Sequence, residues 1–386
     1  MSGPAPKSTA GSGKSTAMIA LFVTVICAPL GATLRNIAVG PGAIREEQQA
    51  PTPLLPHDLR STMAFPGAFK WYFTQRFGFR EALIRMHGKL KVEWLGTSSN
   101  RQVVLGREGW LYTADDQALD DHRGVRPFTK GELDAWVATL RERTPWLAER
   151  GISYLLVIAP NKATIYPEYL PLRLAPAGAT TRLDQLTETL ASAPDISWLD
   201  LRPVMSKARE SSRIFYRTDT HWNAIGGWFA ARVIVDRIPD QHMHPLPDTV
   251  VPTALTTTIL DGGDLARMLG LAKDLPEEDL WPTPASAALH DDSNAPLTWK
   301  TLDVIFRKDV IAMRPDGGLT AVIFRDSFGE ALIPRLSPAF GRTVWRWDYG
   351  FDRALIERER PSVVIQQLVE RKLTTIGPDG NPVAKR

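Results

Sequence analysis

Two short strings in this chain bring together the groups that nucleophilic acyl chemistry needs. Asp219-Thr220-His221-Trp222 sets a carboxylate and an imidazole two residues apart, and Asp326-Ser327-Phe328 sets a hydroxyl directly after the apolar run Ala321-Val322-Ile323-Phe324. A serine hydroxyl is a poor nucleophile alone; it needs a base to take its proton and an anion to orient that base. Residues two apart on an extended segment point to the same side, so Asp219 and His221 can face one site. Ser327 stands where a strand should hand over to a helix, and the backbone N–H groups of a helix N-terminus can stabilise an oxyanion. The same position also suits a helix N-cap, with Glu330 three residues on completing a capping box. Asp219 could likewise cap a helix beginning near Trp222, with the imidazole merely packed.

Further side chains are candidates for holding a substrate. Arg325 is a second oxyanion donor or a surface ion pair. Asn161 and Lys162 follow the end of an apolar run and either line the site or make a turn with a solvated lysine. Trp345, Trp347 and Tyr349, near another strand end, either form a sugar-stacking platform or belong to the core. His242 and His244 sit in a Pro-rich stretch without a cysteine or glutamate companion, so no metal site is expected there. No cofactor is expected either.

The elements that must position these groups alternate between strand and helix signals. A hairpin is predicted from Val103-Val104-Leu105 into Gly109-Trp110-Leu111-Tyr112. Residues 152–159 (ISYLLVIA) form a near-continuous apolar run ended by Pro160, the pattern of a buried parallel strand. Strands are predicted at 196–201, 214–216, 320–324 and 363–369, and helices at 130–150, 181–190 and 222–238. The expected fold is α/β: a parallel sheet flanked by helices on both faces, with ligands bound beyond the carboxyl ends of the strands, where both motifs fall. The stretch 240–312, with its Pro clusters and the acidic run Pro276-Glu277-Glu278-Asp279, reads as an irregular insertion holding one short helix near 263–271.

The N-terminus bears on location. Residues 17–34 run eighteen positions without a charge, behind Lys7 and Lys14 and ahead of Arg35. Such a length is marginal for spanning a bilayer and generous for a signal-peptide core. An uncleaved signal anchor (15–34) with a cytoplasmic leader (1–14) is favoured over a cleaved signal, which would place the remainder in the periplasm, held at the inner membrane. A linker is expected over 35–66, then one domain over 67–386; the aromatic, basic start of that domain reads as a docked amphipathic helix, with contact to the membrane surface as the alternative. Formal net charge is +3, and two of those charges precede the apolar segment, so no nucleic-acid footprint is evident. Cys27 is the only cysteine, which excludes an intramolecular disulfide.

Five strings occur in a fixed order: Gly106-Arg107-Glu108-Gly109-Trp110-Leu111-Tyr112, Pro160-Asn161-Lys162 with Tyr166-Pro167-Glu168, Asp219-Thr220-His221-Trp222, Gly263-Asp264-Leu265 and Asp326-Ser327-Phe328. Together they resemble the alginate O-acetyltransferase family, the SGNH-hydrolase-like proteins of AlgJ and AlgX type. The resemblance implies that Ser327 is the nucleophile, His221 its base and Asp219 the group orienting that base. It also implies a secreted polysaccharide as acceptor and a membrane-bound O-acyltransferase partner that delivers acetyl groups. Alternatives are a carbohydrate acetyl esterase with the same triad and a non-catalytic scaffold of a polysaccharide secretion complex.

Overall fold

The apolar run ahead of Pro160 forms the strand Ser153–Ala159, and its side chains alternate between two separate cores. Leu155, Val157 and Ala159 enter one, while Tyr154, Leu156 and Ile158 enter the other. A strand apolar on both faces has to be covered on both, which is what the unbroken run encodes. In this computed structural model the described residues are 12–39, 52–178, 180–238, 246, 254–283, 298–304, 307–315 and 317–383. They divide into two compact units, 1–90 and 91–386.

In the second unit the strands are β1 (Val103–Leu105), β2 (Leu111–Thr113), β3 (Ser153–Ala159), β4 (Trp198–Asp200), β5 (Ala254–Leu260), β6 (Glu277–Thr283), β7 (Thr298–Val304), β8 (Arg307–Met313), β9 (Thr320–Arg325), β10 (Arg342–Trp347) and β11 (Val363–Val369). Among the described residues the central sheet has seven strands in the order β4-β3-β11-β9-β10-β8-β7. The first five are mutually parallel; β8 and β7 add antiparallel at one edge. The expected parallel sheet thus forms over five strands, and the β7–β8 hairpin, which needs no crossover helix, extends it as an antiparallel edge.

Helices Arg202–Ala208 and Ala224–Arg237 cover the first core, through Met205, Ile225 and Ile234 among others. Helices Lys130–Ala148, Arg182–Ala191 and Arg353–Glu359 cover the second, through Leu140, Leu186 and Ile356. Helix Lys130–Ala148 opens on a capping box between Thr129 and Glu132, and helix Arg182–Ala191 on one between Thr181 and Asp184. Both start within a residue of the sequence expectation because those caps satisfy the first N–H groups. The expected β1–β2 hairpin forms, with Val104 opposite Tyr112.

Two expectations fail in this unit. Residues 214–216 are not a strand; only an isolated bridge between Phe215 and Trp222 forms there, closing a loop that carries Asp219 and His221. Three consecutive apolar residues suggested a strand, but Ile214 and Phe215 are buried in the first core while Tyr216 lines a groove. In the described part of 240–312 the expected short helix forms, as Asp264–Met268, but strands not expected there accompany it. The stretch contains the antiparallel pair β5–β6 and supplies β7 and all but the last residue of β8. The acidic run is strand β6, in which Glu277 and Asp279 point inward onto Arg213, Thr218 and Tyr216. His242 and His244 lie outside the described residues.

In the first unit a long apolar helix, Ser12–Val39, is followed by helices Leu59–Arg76 and Arg80–Lys89. The segment expected to remain linker until residue 66 enters its helix at Leu59, because Asp58 and Ser61 make a capping box. Residues Ser15–Arg35 of the first helix are long and apolar enough to cross a membrane.

Candidate active site

Strand β9 ends at Arg325, and the chain turns at Asp326 into a short 3-10 helix, Ser327–Ala331. The buried Asp326 carboxylate drives this turn. Its Oδ1 accepts from the Phe328 N–H at 2.9 Å and from Gln367 Nε2 at 3.0 Å, and its Oδ2 accepts from the Val369 N–H at 2.6 Å. Asp326 is thus the N-cap, and it ties the turn to the carboxyl end of β11. The expected capping box between Ser327 and Glu330 does not form, for the simple reason that the cap sits one residue earlier. The Ser327 hydroxyl instead meets His221 Nε2 at 2.7 Å.

His221 reaches that point from the loop closed by the Phe215–Trp222 bridge. Its Nδ1 lies 2.7 Å from Asp219 Oδ1, which also accepts from the His221 N–H at 3.0 Å. With the Nδ1 hydrogen on Asp219, Nε2 is left as acceptor for the serine hydroxyl, the tautomer these partners select. Trp222 fixes the far side of the imidazole's anchor by donating from Nε1 to the Phe328 carbonyl at 3.0 Å. Burial works to raise the Asp219 carboxyl, but the hydrogen bond and charge of His221, with the N–H groups of Asp264 and His221, outweigh it. The carboxyl is held well below its ordinary range and stays ionised.

A second layer holds the loop. Lys162 is buried and donates from Nζ to the carbonyls of Tyr216, Arg217 and Asp219 at 3.1, 3.0 and 2.6 Å. Burial pushes this lysine down to about 7, against the pull of Asp219, Asp264 and Glu277. Glu277 Oε2 accepts from the Thr218 N–H at 2.6 Å and its hydroxyl at 2.7 Å. The Asp264 N–H donates to Asp219 Oδ2 at 2.8 Å, and Asp264 Oδ1 accepts from the Thr220 N–H at 2.7 Å. A side chain at position 263 would put its Cβ 2.3 Å from Asp219 Cβ, so Gly263 is what permits this approach. Gly263-Asp264 was visible in the sequence as part of a motif, without a role; Glu277 gave no signal beyond its acidic neighbours.

The Ser327–His221 pair opens on a groove of about 470 Å³, lined also by Tyr216, Asp264, Arg267, Glu330 and Arg335. The other candidate binding residues are not among its lining. Lys162 and Asn161 lie beneath the loop, with the Asn161 N–H donating to Glu370 Oε2 at 2.8 Å. The chain therefore uses Lys162 as a buried clamp rather than as a solvated or substrate-facing cation. Arg325 is 1% exposed; it donates to the Asp326 carbonyl and to Glu330 Oε1 and stacks on Trp347 at 4.7 Å. It braces the serine turn from below. Trp345 is core, and Trp347 and Tyr349 are half-buried outside the groove lining, Tyr349 beneath the Lys372 ammonium. Among the described residues, Asp219, His221 and Asp264 bring potential metal ligands within 4.8 Å of one another. His221 Nδ1 and Asp219 Oδ1 are already hydrogen-bonded to each other.

Comparison with known proteins agrees with this architecture. Residues 103–295, half of the chain, match the family model described as SGNH hydrolase-like domain, acetyltransferase AlgX. The matched span includes Asp219 and His221 and ends before Ser327. The probable alginate O-acetylase AlgJ of Pseudomonas aeruginosa is 28% identical over 237 residues, covering 61% of this chain and 53% of that protein. The protein of the same description from Pseudomonas putida is 29% identical over 169 residues, 44% of this chain and 42% of the relative. The chain thus spans about half the length of the curated relatives it matches. Among solved structures, Bacillus cereus PatB1 with a sulfonyl adduct aligns over 72% of this chain and 99% of that one, with a TM-score of 0.51 and 12% identity, a likeness of fold.

Proposed function

Because the chain belongs to the family of SGNH hydrolase-like domains of the acetyltransferase AlgX, we propose that it is a polysaccharide O-acetyltransferase working through an acetyl-serine. The observation that carries this reading is the continuous hydrogen-bonded chain from Ser327 Oγ through His221 to Asp219, 2.7 Å at each step, opening on the groove. Ser327 Oγ attacks the carbonyl carbon of an acetyl donor as its proton passes to His221 Nε2. The imidazolium that forms is stabilised by the ionised Asp219 carboxylate. The tetrahedral oxyanion is held by the Ser327 backbone N–H, which we assign as its donor. Collapse expels the donor's leaving group, protonated by His221, and leaves the acetyl ester on Ser327. An acceptor hydroxyl then loses its proton to the same imidazole, attacks the ester, and departs acetylated while Ser327 regains its proton.

The acceptor is a secreted polysaccharide, alginate-like or another exopolysaccharide, as the names of the curated relatives suggest. A membrane-bound O-acyltransferase supplies the acetyl groups, and the enzyme works in the periplasm, held to the inner membrane by its N-terminal helix. An esterase with the same triad differs in one respect: water, not a sugar hydroxyl, takes the acetyl group. The test is a partition measurement. The protein is incubated with an acetyl ester of a chromogenic phenol and de-acetylated polysaccharides, and acetyl on the polymer is counted against free acetate. The proposal expects an acceptor that captures acetyl in preference to water, and loss of both products in Ser327→Ala. Release of acetate alone with every polymer, alginate and cellulose included, would make the protein an esterase.

A further inference from the structure

Residues 59–90 carry an apolar surface that the acyl chemistry does not use. Helix Leu59–Arg76 stacks Phe65 on Phe69 and Phe69 on Phe73, with ring centroids 5.9 and 6.2 Å apart, and Phe77 continues the row at 6.1 Å. Leu59 and Met63 are each 78% exposed, and Phe69 and Trp71 about half. The next helix, Arg80–Lys89, exposes Leu83, Ile84 and Met86. Apolar side chains gathered on one short segment in this way mark a surface that meets something other than water.

What it meets follows from where it is tied. Between the two helices, the Gly78 N–H donates to Thr33 Oγ1 at 2.7 Å. A Cβ on Gly78 would lie 2.4 Å from Ala32 Cβ and 2.5 Å from the Pro29 carbonyl, so the turn is pressed directly against the long apolar helix. Pro29, Ala32 and Thr33 are near the C-terminal end of the stretch Ser15–Arg35, which has the length and composition of a membrane span. At 1.5 Å per residue that stretch roughly matches the ~30 Å hydrocarbon core, so its end lies at a bilayer surface. The turn itself holds Phe79 at φ 62°, a left-handed conformation that a bulky residue rarely adopts, with its ring 53% exposed. The charges complete the pattern. By composition, residues 59 to 90 hold six bases, Arg60, Lys70, Arg76, Arg80, Arg85 and Lys89, and one acid, Glu81.

We propose that residues 59–90 lie on the membrane as an interfacial element, with Met63, Phe69, Trp71 and Phe79 in the boundary between headgroups and acyl chains and the basic residues on anionic lipid phosphates. Exposed Trp, Phe and Met side chains together with a basic excess favour that layer, the apolar groups by leaving water and the cations by meeting anionic headgroups. The inference rests on taking residues 15–35 as a membrane span; it does not depend on the chemistry of Ser327.

The test uses the full chain carrying Cys27→Ser, reconstituted in vesicles of phosphatidylethanolamine and phosphatidylglycerol. Single spin labels are placed through Val23→Cys, Met63→Cys, Phe69→Cys, Phe79→Cys and Lys130→Cys, and collisions with oxygen are compared with those of a water-soluble nickel chelate. The expected result is a several-fold higher oxygen-to-nickel ratio at 63, 69 and 79 than at 130, below that at 23. Replacing phosphatidylglycerol by phosphatidylcholine should lower the ratio at those three sites and leave 23 unchanged. A buried label at 23 with water-like labels at 63, 69 and 79 would overturn the inference alone. A water-like label at 23 would overturn the span reading with it. Labels shielded from both reagents only in native membrane vesicles would assign the surface to a protein partner and overturn the lipid proposal.

Discussion

Under the proposed mechanism, alanine at position 327 removes the acylated atom and nothing that holds the turn, because Asp326 supplies the cap. Ser327→Ala and His221→Ala should therefore each lower turnover of an activated acetyl ester by roughly 10³- to 10⁶-fold, as for other triads that act as a unit. Their thermal midpoints should stay close to that of the wild type in a melting curve. Asp219→Asn should lose on the order of 10⁴-fold, since an amide selects the wrong imidazole tautomer. Gly263→Ala tests the contact behind the carboxylate. A Cβ 2.3 Å from that of Asp219 forces one backbone to move, at a cost of about 1–3 kcal/mol in chemical unfolding, with a fall in kcat as Asp219 is displaced. The meeting of Asp219, His221 and Ser327 was legible in residue type and spacing. The cap was not, since Asp326 and Ser327 are both good N-cap residues and only the β11 partners of Asp326 decide between them.

Buried Lys162 is one of the groups that hold the loop carrying Asp219 and His221. Lys162 is pushed by burial from the ordinary lysine value of 10.5 down to about 7. Between those values the unfolded chain binds a proton that the native protein lacks, so stability rises with pH across that window and is independent of this group below about 7. The largest slope one proton can give is about 1.4 kcal/mol per pH unit. Lys162→Met should flatten that slope in urea unfolding curves recorded across the window. It should also lower kcat, because three carbonyls that fix the loop lose their donor. A lysine after a strand end looks solvated in sequence; its burial is set by a loop more than fifty positions away. For the same reason residues 214–216 looked like a strand. Their apolar pattern reports burial, and burial alone does not distinguish a ladder from a loop packed into a core.

At the scale of the whole molecule, the layered α/β architecture was legible because β3, β9 and β11 are apolar on both faces and helices alternate with them. The antiparallel edge and the β5–β6 pair were not, since their residues mix Pro, Thr and acidic side chains that individually suggest loops. The strand order places β9 between β11 and β10, so Ser327 emerges at the middle of the sheet, where side chains from a distant loop can reach it. That topology brings together two motifs 106 residues apart. Its central consequence is covalent, and one measurement addresses it directly: intact-mass analysis after brief exposure to an acetyl ester of a chromogenic phenol, in wild type and Ser327→Ala. The wild type should gain one acetyl group, located on the peptide that contains Ser327 and missing from the variant. An adduct of equal extent in Ser327→Ala, or a folded wild type that turns over no ester and carries no adduct, would contradict the acetyl-serine mechanism.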